Sequence, residues 1–161
     1  MRIISIDPGF ERVGIAVLEK NLGEKETLIY SECFKTTPKI SLNERIKKIG
    51  DEVEQIIKKY KPKALAIEKL YFTTNQKTVM GVAEARGVII YCGTRKDLPI
   101  FEYTPPQIKV AVTGYGKASK EMVMSMVPKL IEIKKNTKSD DELDAIAIGI
   151  TALACEKSFL K

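Results

Sequence analysis

Arg2-Ile3-Ile4-Ser5-Ile6-Asp7-Pro8-Gly9 decides how the rest of this 161-residue chain has to be arranged. The run to Ile6 is almost unbroken in its apolar character, Asp7 closes it, and Pro8-Gly9 turns the backbone away. Such continuous apolarity predicts a strand covered on both faces. Outward from it, Val13 to Leu18 reads as a second strand and Asn21-Leu22-Gly23-Glu24 as a turn. Thr27 to Phe34 alternates loosely and reads as a third strand. The links are short, so these three strands form an antiparallel meander.

Ser41 to Tyr60 then reads as a helix. Ser41-Leu42-Asn43-Glu44 is a capping box, and Ile46, Ile49, Val53, Ile56 and Ile57 recur at helical spacing until Pro62 ends the pattern. Ala64-Leu65-Ala66-Ile67-Glu68 is another short buried strand closed by a carboxylate. A helix from about Gln76 to Thr94 leads to a strand from Ile100 to Thr104, and Pro105-Pro106 opens a helix at about Gln107. Gly114-Tyr115-Gly116-Lys117 is a connector, and Ser119 caps a helix that Pro128 interrupts or ends. Ser139-Asp140-Asp141-Glu142 reads as another capping box, starting a last helix that runs to about Lys157. The order predicts an α/β fold over residues 1–161: one domain, a five-stranded mixed sheet (three antiparallel, then parallel strands) and helices on both faces.

Composition narrows the chemistry. The chain has no histidine, which excludes a Ser-His or Cys-His nucleophile, a histidine base and histidine metal ligands. Cys33, Cys92 and Cys155 are far apart, which argues against a zinc site or disulfide framework, and they read as small core residues. Strong catalysis near neutral pH would then come from carboxylates, lysines, tyrosines or a bound metal, and a carboxylate-only metal site favours hard cations such as Mg²⁺ or Mn²⁺. The net charge of +6 favours polyanionic partners such as nucleic acid. No stretch reaches the length of a membrane span and no charged-then-apolar leader is present, so the expected location is the cytoplasm.

The carboxylates carry the site. Asp7 and Glu68 each end an apolar strand, and neighbouring strand ends can bring two such side chains together. An acid there can also simply meet solvent and bond the following turn. Asp141 and Asp144, at i and i+3, share one face of the last helix, but so do Asp140 and Asp144 at i and i+4, and the spacing leaves both registers open. Acids in a first helical turn complement the helix dipole, which accounts for Asp140 and Glu142 but poorly for Asp144, at the head of Ala145-Ile146-Ala147-Ile148. Converging carboxylates raise each other's pKa unless a cation intervenes. A pair of Mg²⁺ ions is the natural cation, and two-metal phosphodiester hydrolysis needs no histidine.

Six blocks then fall in order from residue 1 to about residue 155: Ile4-Ser5-Ile6-Asp7-Pro8-Gly9, Ala66-Ile67-Glu68-Lys69-Leu70-Tyr71, Glu84-Ala85-Arg86-Gly87, Glu102-Tyr103-Thr104-Pro105, Thr113-Gly114-Tyr115-Gly116-Lys117-Ala118 and Asp141-Glu142-Leu143-Asp144-Ala145. Together they resemble the RuvC family of Holliday-junction resolvases. The resemblance implies an RNase H-like fold, two Mg²⁺ per site with Mn²⁺ able to substitute, and paired, symmetric nicking of four-way junction DNA by a homodimer in recombination and repair. It also implies partnership with the RuvA–RuvB branch-migration complex. By motif match, the catalytic and metal-holding carboxylates are Asp7, Glu68, Asp141 and Asp144, which selects Asp141 over Asp140.

By the same match the junction-contacting aromatic falls on Tyr71, with Phe72 beside it as a second candidate, and basic phosphate contacts fall on Lys109 and Lys120. An aromatic near the metals could stack on unpaired bases, though either could instead anchor its loop to the core. The segment Met80-Gly81-Val82-Ala83-Glu84-Ala85-Arg86-Gly87-Val88-Ile89-Ile90 has small residues and more apolar surface than one face needs. It fits either a two-fold contact or a helix packed within the domain, and the resemblance favours the contact. Rival readings are a related nuclease for RNA or RNA–DNA hybrid, a non-catalytic junction binder, and an ASKHA-type nucleotide-binding protein.

Overall fold

The computed structural model describes residues 1–21, 23–70, 76–133 and 139–156, and of residues 76 and 77 the backbone alone. In chain order the elements are β1 (Arg2–Asp7), β2 (Arg12–Glu19), β3 (Thr27–Lys35), α1 (Leu42–Tyr60), β4 (Ala64–Glu68), α2 (Gln76–Thr94), β5 (Ile100–Tyr103), α3 (Pro105–Thr113), α4 (Lys120–Leu130) and α5 (Asp140–Cys155). The strands form one five-stranded sheet in the order β3-β2-β1-β4-β5. β1 pairs antiparallel with β2 and β2 with β3, while β4 runs parallel to β1 and β5 parallel to β4. The mixed sheet read from the sequence is present, with β1 at its centre.

Strand periodicity sorts the core into two layers, because successive side chains point to opposite faces. Ile4, Ile6, Ile15, Val17, Leu65 and Ile67 meet Ile49, Val53 and Ile56 of α1 and Ala85 and Ile89 of α2. Ile3, Ala16, Leu18, Ala64 and Ala66 meet Ala145, Ile146, Gly149's neighbours Ile148 and Ile150, and residues of α3 and α4. The second face carries small side chains beneath α5, so that helix lies close against it. A Cβ at Gly149 would sit 2.5 Å from Leu18 Cδ1 and 2.8 Å from Ser5 Oγ. Ser5, buried, donates to the Ala145 carbonyl at 2.7 Å and ties the middle of β1 to the head of α5.

Several boundaries differ from the sequence reading. α3 begins at Pro105, not near Gln107. Thr104 caps it through a reciprocal box with Gln107, and the prolines occupy positions where the missing N–H is no loss. Pro128 lies inside α4, which continues to Leu130. The capping box expected at Ser139 does not form: Ser139 makes no side-chain cap bond, and Glu142 instead accepts a hydrogen bond from Ser31 of β3 at 2.7 Å. Cys92 is buried, but Cys33 is half-buried beside the acids and Cys155 is exposed, so the three cysteines are not uniformly core residues.

Candidate active site

Parity along the strands delivers the first two acids. Ile3 and Ala64 belong to the α5 face, Ser5 pairs with Ala66 on the same face, and Ile6 pairs with Ile67 in the parallel ladder. One step further, Asp7 and Glu68 therefore leave adjacent strand ends side by side, both toward α5. The helix supplies the others. Asp141 lies over Gly14, the ladder partner of Asp7; a Cβ at Gly14 would overlap the Asp141 carbonyl oxygen. Asp144 lies one helical turn on. Side-chain exposure separates the competing registers, at 22% for Asp141 and 32% for Asp144 against 73% for Asp140, which points outward.

The electrostatics report a crowded anionic cleft. Burial, then the charges of Glu68, Asp144 and Asp141, push the Asp7 carboxyl up to about 8, with Lys120 working against them. Burial and Asp144 push Glu68 up to about 7, again opposed by Lys120. Asp144 is raised by burial even though Lys120 donates to it. Asp141 goes the other way: burial alone would raise it, but hydrogen bonds from Ser139, Arg12 and Cys33 hold it below the usual carboxylate range. Among the described residues neither the Asp7 nor the Glu68 carboxylate has a hydrogen-bond or ion-pair partner.

Two cations from the chain itself serve the helix-borne acids. Lys120 Nζ lies 3.1 Å from Asp144 Oδ2 and 3.7 Å from Asp140 Oδ2. Arg12 Nε donates to Asp141 Oδ2 at 2.9 Å, and its Nη2 pairs with the same oxygen. No three His, Cys, Asp or Glu side chains among the described residues are arranged to hold one metal ion. The donor chemistry nonetheless fits a hard divalent cation: the donors are all carboxylate oxygens, and two of them, on Asp7 and Glu68, are raised by burial and by neighbouring acids with no protein cation in contact.

Of the other residues singled out, Lys109 lines the same cleft of about 230 Å³ as Glu68, Asp144 and Lys120. Tyr71 and Phe72 lie outside the described residues. Arg12 and Gly14 have no role in the sequence reading, since only the packing of α5 across β2 brings them to Asp141, and Ser139 has a role there only as a helix cap. Arg86, in the Glu84-Ala85-Arg86-Gly87 block, braces the end of β4. Its Nε donates to the Glu68 carbonyl at 3.2 Å and its guanidinium pairs with Glu102, tethering the end of β4 to α2 and β5.

Fold and site define an RNase H-like domain with an acidic cluster at the carboxyl end of its central strands. The family described as "Crossover junction endodeoxyribonuclease RuvC" matches residues 3–152. The crossover junction endodeoxyribonuclease RuvC of Thermosipho melanesiensis is 42% identical over 159 residues, covering 99% of this chain and all of that protein. That of Fusobacterium nucleatum is 41% identical over 151 residues, or 94% of this chain and 79% of the relative. Among solved structures, Thermus thermophilus RuvC in complex with a Holliday junction substrate superposes with a TM-score of 0.91 at 28% identity, covering 99% of this chain and 97% of that one. The chain belongs to the RuvC family of crossover junction endodeoxyribonucleases.

Proposed function

We propose that this protein resolves four-way DNA junctions by Mg²⁺-dependent phosphodiester hydrolysis, with Asp7, Glu68, Asp141 and Asp144 as the catalytic, metal-holding carboxylates. The observation that carries the reading is the shared face and shared strand ends of Asp7 and Glu68, opposed by Asp144 from α5, with the carboxyls of Asp7 and Glu68 held near neutral proton affinity. Divalent cations bound there, two in the fullest form of this reading and Mn²⁺ in place of Mg²⁺ where supplied, provide an activated water and neutralise charge on the leaving oxygen. The protein's own groups orient and compensate. Lys120 and Lys109 face the same cleft from α4 and α3 and would meet the phosphates flanking the cut. Tyr71 or Phe72 would stack on bases unpaired at the crossover.

The assembly belongs to the same reading. Met80, Glu84, Gly87 and Tyr91 form an exposed stripe at i, i+4, i+7 and i+11 of α2, with Met80 63% and Tyr91 59% exposed and open space beside Gly87. Two copies paired through this stripe would present two sites to a junction of matching two-fold symmetry, nick it in paired fashion, and work with RuvA–RuvB in the cytoplasm. No helix among the described residues is long and apolar enough to cross a membrane. The test is substrate choice with Mg²⁺: a mobile four-way junction is nicked on opposing strands while linear duplex and RNA–DNA hybrid stay nearly intact. Preferential cleavage of the hybrid would transfer the chain to a different nuclease activity on the same chemistry.

A further inference from the structure

Asp141 carries an asymmetry that its neighbours do not. Arg12 Nε and Nη2, Ser139 Oγ at 2.8 Å and Cys33 Sγ at 3.4 Å all converge on Oδ2. Among the described residues no donor reaches Oδ1. A carboxylate saturated on one oxygen and bare on the other is held as metal-ligating carboxylates are held, with an outer group fixing the rotamer and one oxygen left for the ion. The head of β2 supplies the charged part of the cradle. Arg12 and Gly14 lie on the α5 face of the strand, Gly14 admits the Asp141 backbone where any side chain would collide, and Arg12 clamps the carboxylate that this backbone projects. Arg12 Nη2 also donates to Ser139 Oγ at 3.2 Å, so guanidinium, hydroxyl and carboxylate form a closed ring of hydrogen bonds at the start of α5. That ring stands where the expected capping box is absent: Ser139 serves the acid and not the helix N–H groups.

We propose that Arg12 is a positioning residue for Asp141, locking Oδ2 so that Oδ1 is presented to the divalent cation; this rests on the reading of Asp141 as a metal ligand. Arg12 is the side chain suited to the task, because its Nε and Nη2 donors converge on the one oxygen Oδ2 and it stays charged at every working pH. Its side chain is 51% exposed, so the pair adds little to folding and its effect is concentrated on the site.

The test is calorimetric titration of the whole protein with Mn²⁺, without DNA, for wild type, Arg12→Ala, Arg12→Lys, Asp141→Asn and the double variant Arg12→Ala/Asp141→Asn, with Tm measured alongside. Arg12→Ala should weaken Mn²⁺ binding by roughly tenfold to a hundredfold while the metal-free Tm stays put. Arg12→Lys, which keeps the charge but not the fork, should recover only part of the loss. The double variant should bind as Asp141→Asn does, because Arg12 acts through that carboxylate. Unchanged or tighter Mn²⁺ binding by Arg12→Ala, with Asp141→Asn still defective, overturns the positioning role and leaves the metal-site reading standing. If a parallel junction-binding measurement on Arg12→Ala shows lost affinity while Mn²⁺ binding is intact, the role is overturned in favour of a phosphate contact. If Asp141→Asn itself binds Mn²⁺ as wild type does, the underlying reading of Asp141 is what fails.

Discussion

Lys120 Nζ lies 3.1 Å from Asp144 Oδ2, and from that position it lowers the proton affinity of Asp7 and Glu68 as well. One ammonium from the first turn of α4 thus serves three carboxylates borne by β1, β4 and α5. The four elements meet at one point, and the point is the acidic cleft.

Lys120 is therefore expected to matter more than a surface lysine. Lys120 is half exposed and its pairing with Asp144 adds little to folding, but Lys120→Ala also removes the phosphate contact proposed for it, so junction cleavage at saturating Mg²⁺ should fall by about tenfold to a hundredfold. Single-turnover cleavage measures it, and a loss below threefold would place Lys120 outside the reaction.

The pH dependence of stability follows from Asp7. Its carboxyl is raised by burial and by its acidic neighbours from 3.8 to about 8. A carboxyl whose folded pKa lies above its unfolded one leaves stability intact below the unfolded value and erodes it as pH climbs toward the folded value. In EDTA, the wild-type unfolding free energy should thus decline between about pH 4 and 8 by an amount on the order of a few kcal/mol, and Asp7→Asn should flatten the decline. Equal slopes for the two proteins would show that Asp7 is not the group responsible.

Metal binding should displace protons. With Asp7 near 8 and Glu68 near 7, both are partly protonated at pH 6.5, and a divalent cation binds their ionised forms. Calorimetry in buffers of different ionisation enthalpy should then reveal proton release on Mg²⁺ binding at pH 6.5 that vanishes by about pH 9. Binding with no proton exchange at pH 6.5 contradicts the electrostatic account.

Packing under α5 gives a prediction independent of the chemistry. Gly149 faces Leu18 and Ser5 at distances no Cβ tolerates, so Gly149→Ala must displace those buried side chains or α5 itself. Overpacking of this kind costs about 1–3 kcal/mol, read by urea unfolding, and any shift of α5 that relieves it should depress cleavage as well. On the outer side of α2, Met80→Glu with Tyr91→Glu should leave folding intact but halve the mass seen in sedimentation, since both side chains are exposed. A monomeric wild type would remove the basis for paired nicking.

Much of this was legible before any coordinates, and the reasons differ by element. β1 and β4 announced themselves because a strand buried on both faces must be apolar throughout, which makes a terminal carboxylate conspicuous. Asp144 stood out because it opens an apolar run. Ser139 misled, since Ser-x-x-Glu is a capping box only if the serine is not wanted elsewhere, and here it turns to Asp141 while Glu142 turns to Ser31. Arg12 was invisible for a related reason: its partner lies 129 residues away and only the packing of α5 across β2 brings them together. Cys155 read as core because thiols usually are, but it falls at the open end of α5.

The most direct measurement is nicking of a synthetic mobile four-way junction across a Mg²⁺ titration, for wild type and Asp7→Asn, with junction binding followed in parallel. Wild type should nick opposing strands only when Mg²⁺ is present, while Asp7→Asn binds the junction at least as tightly and fails to cut it at any Mg²⁺ concentration. Nicking by wild type in EDTA, or undiminished nicking by Asp7→Asn, would contradict a carboxylate-held metal site at the ends of β1 and β4.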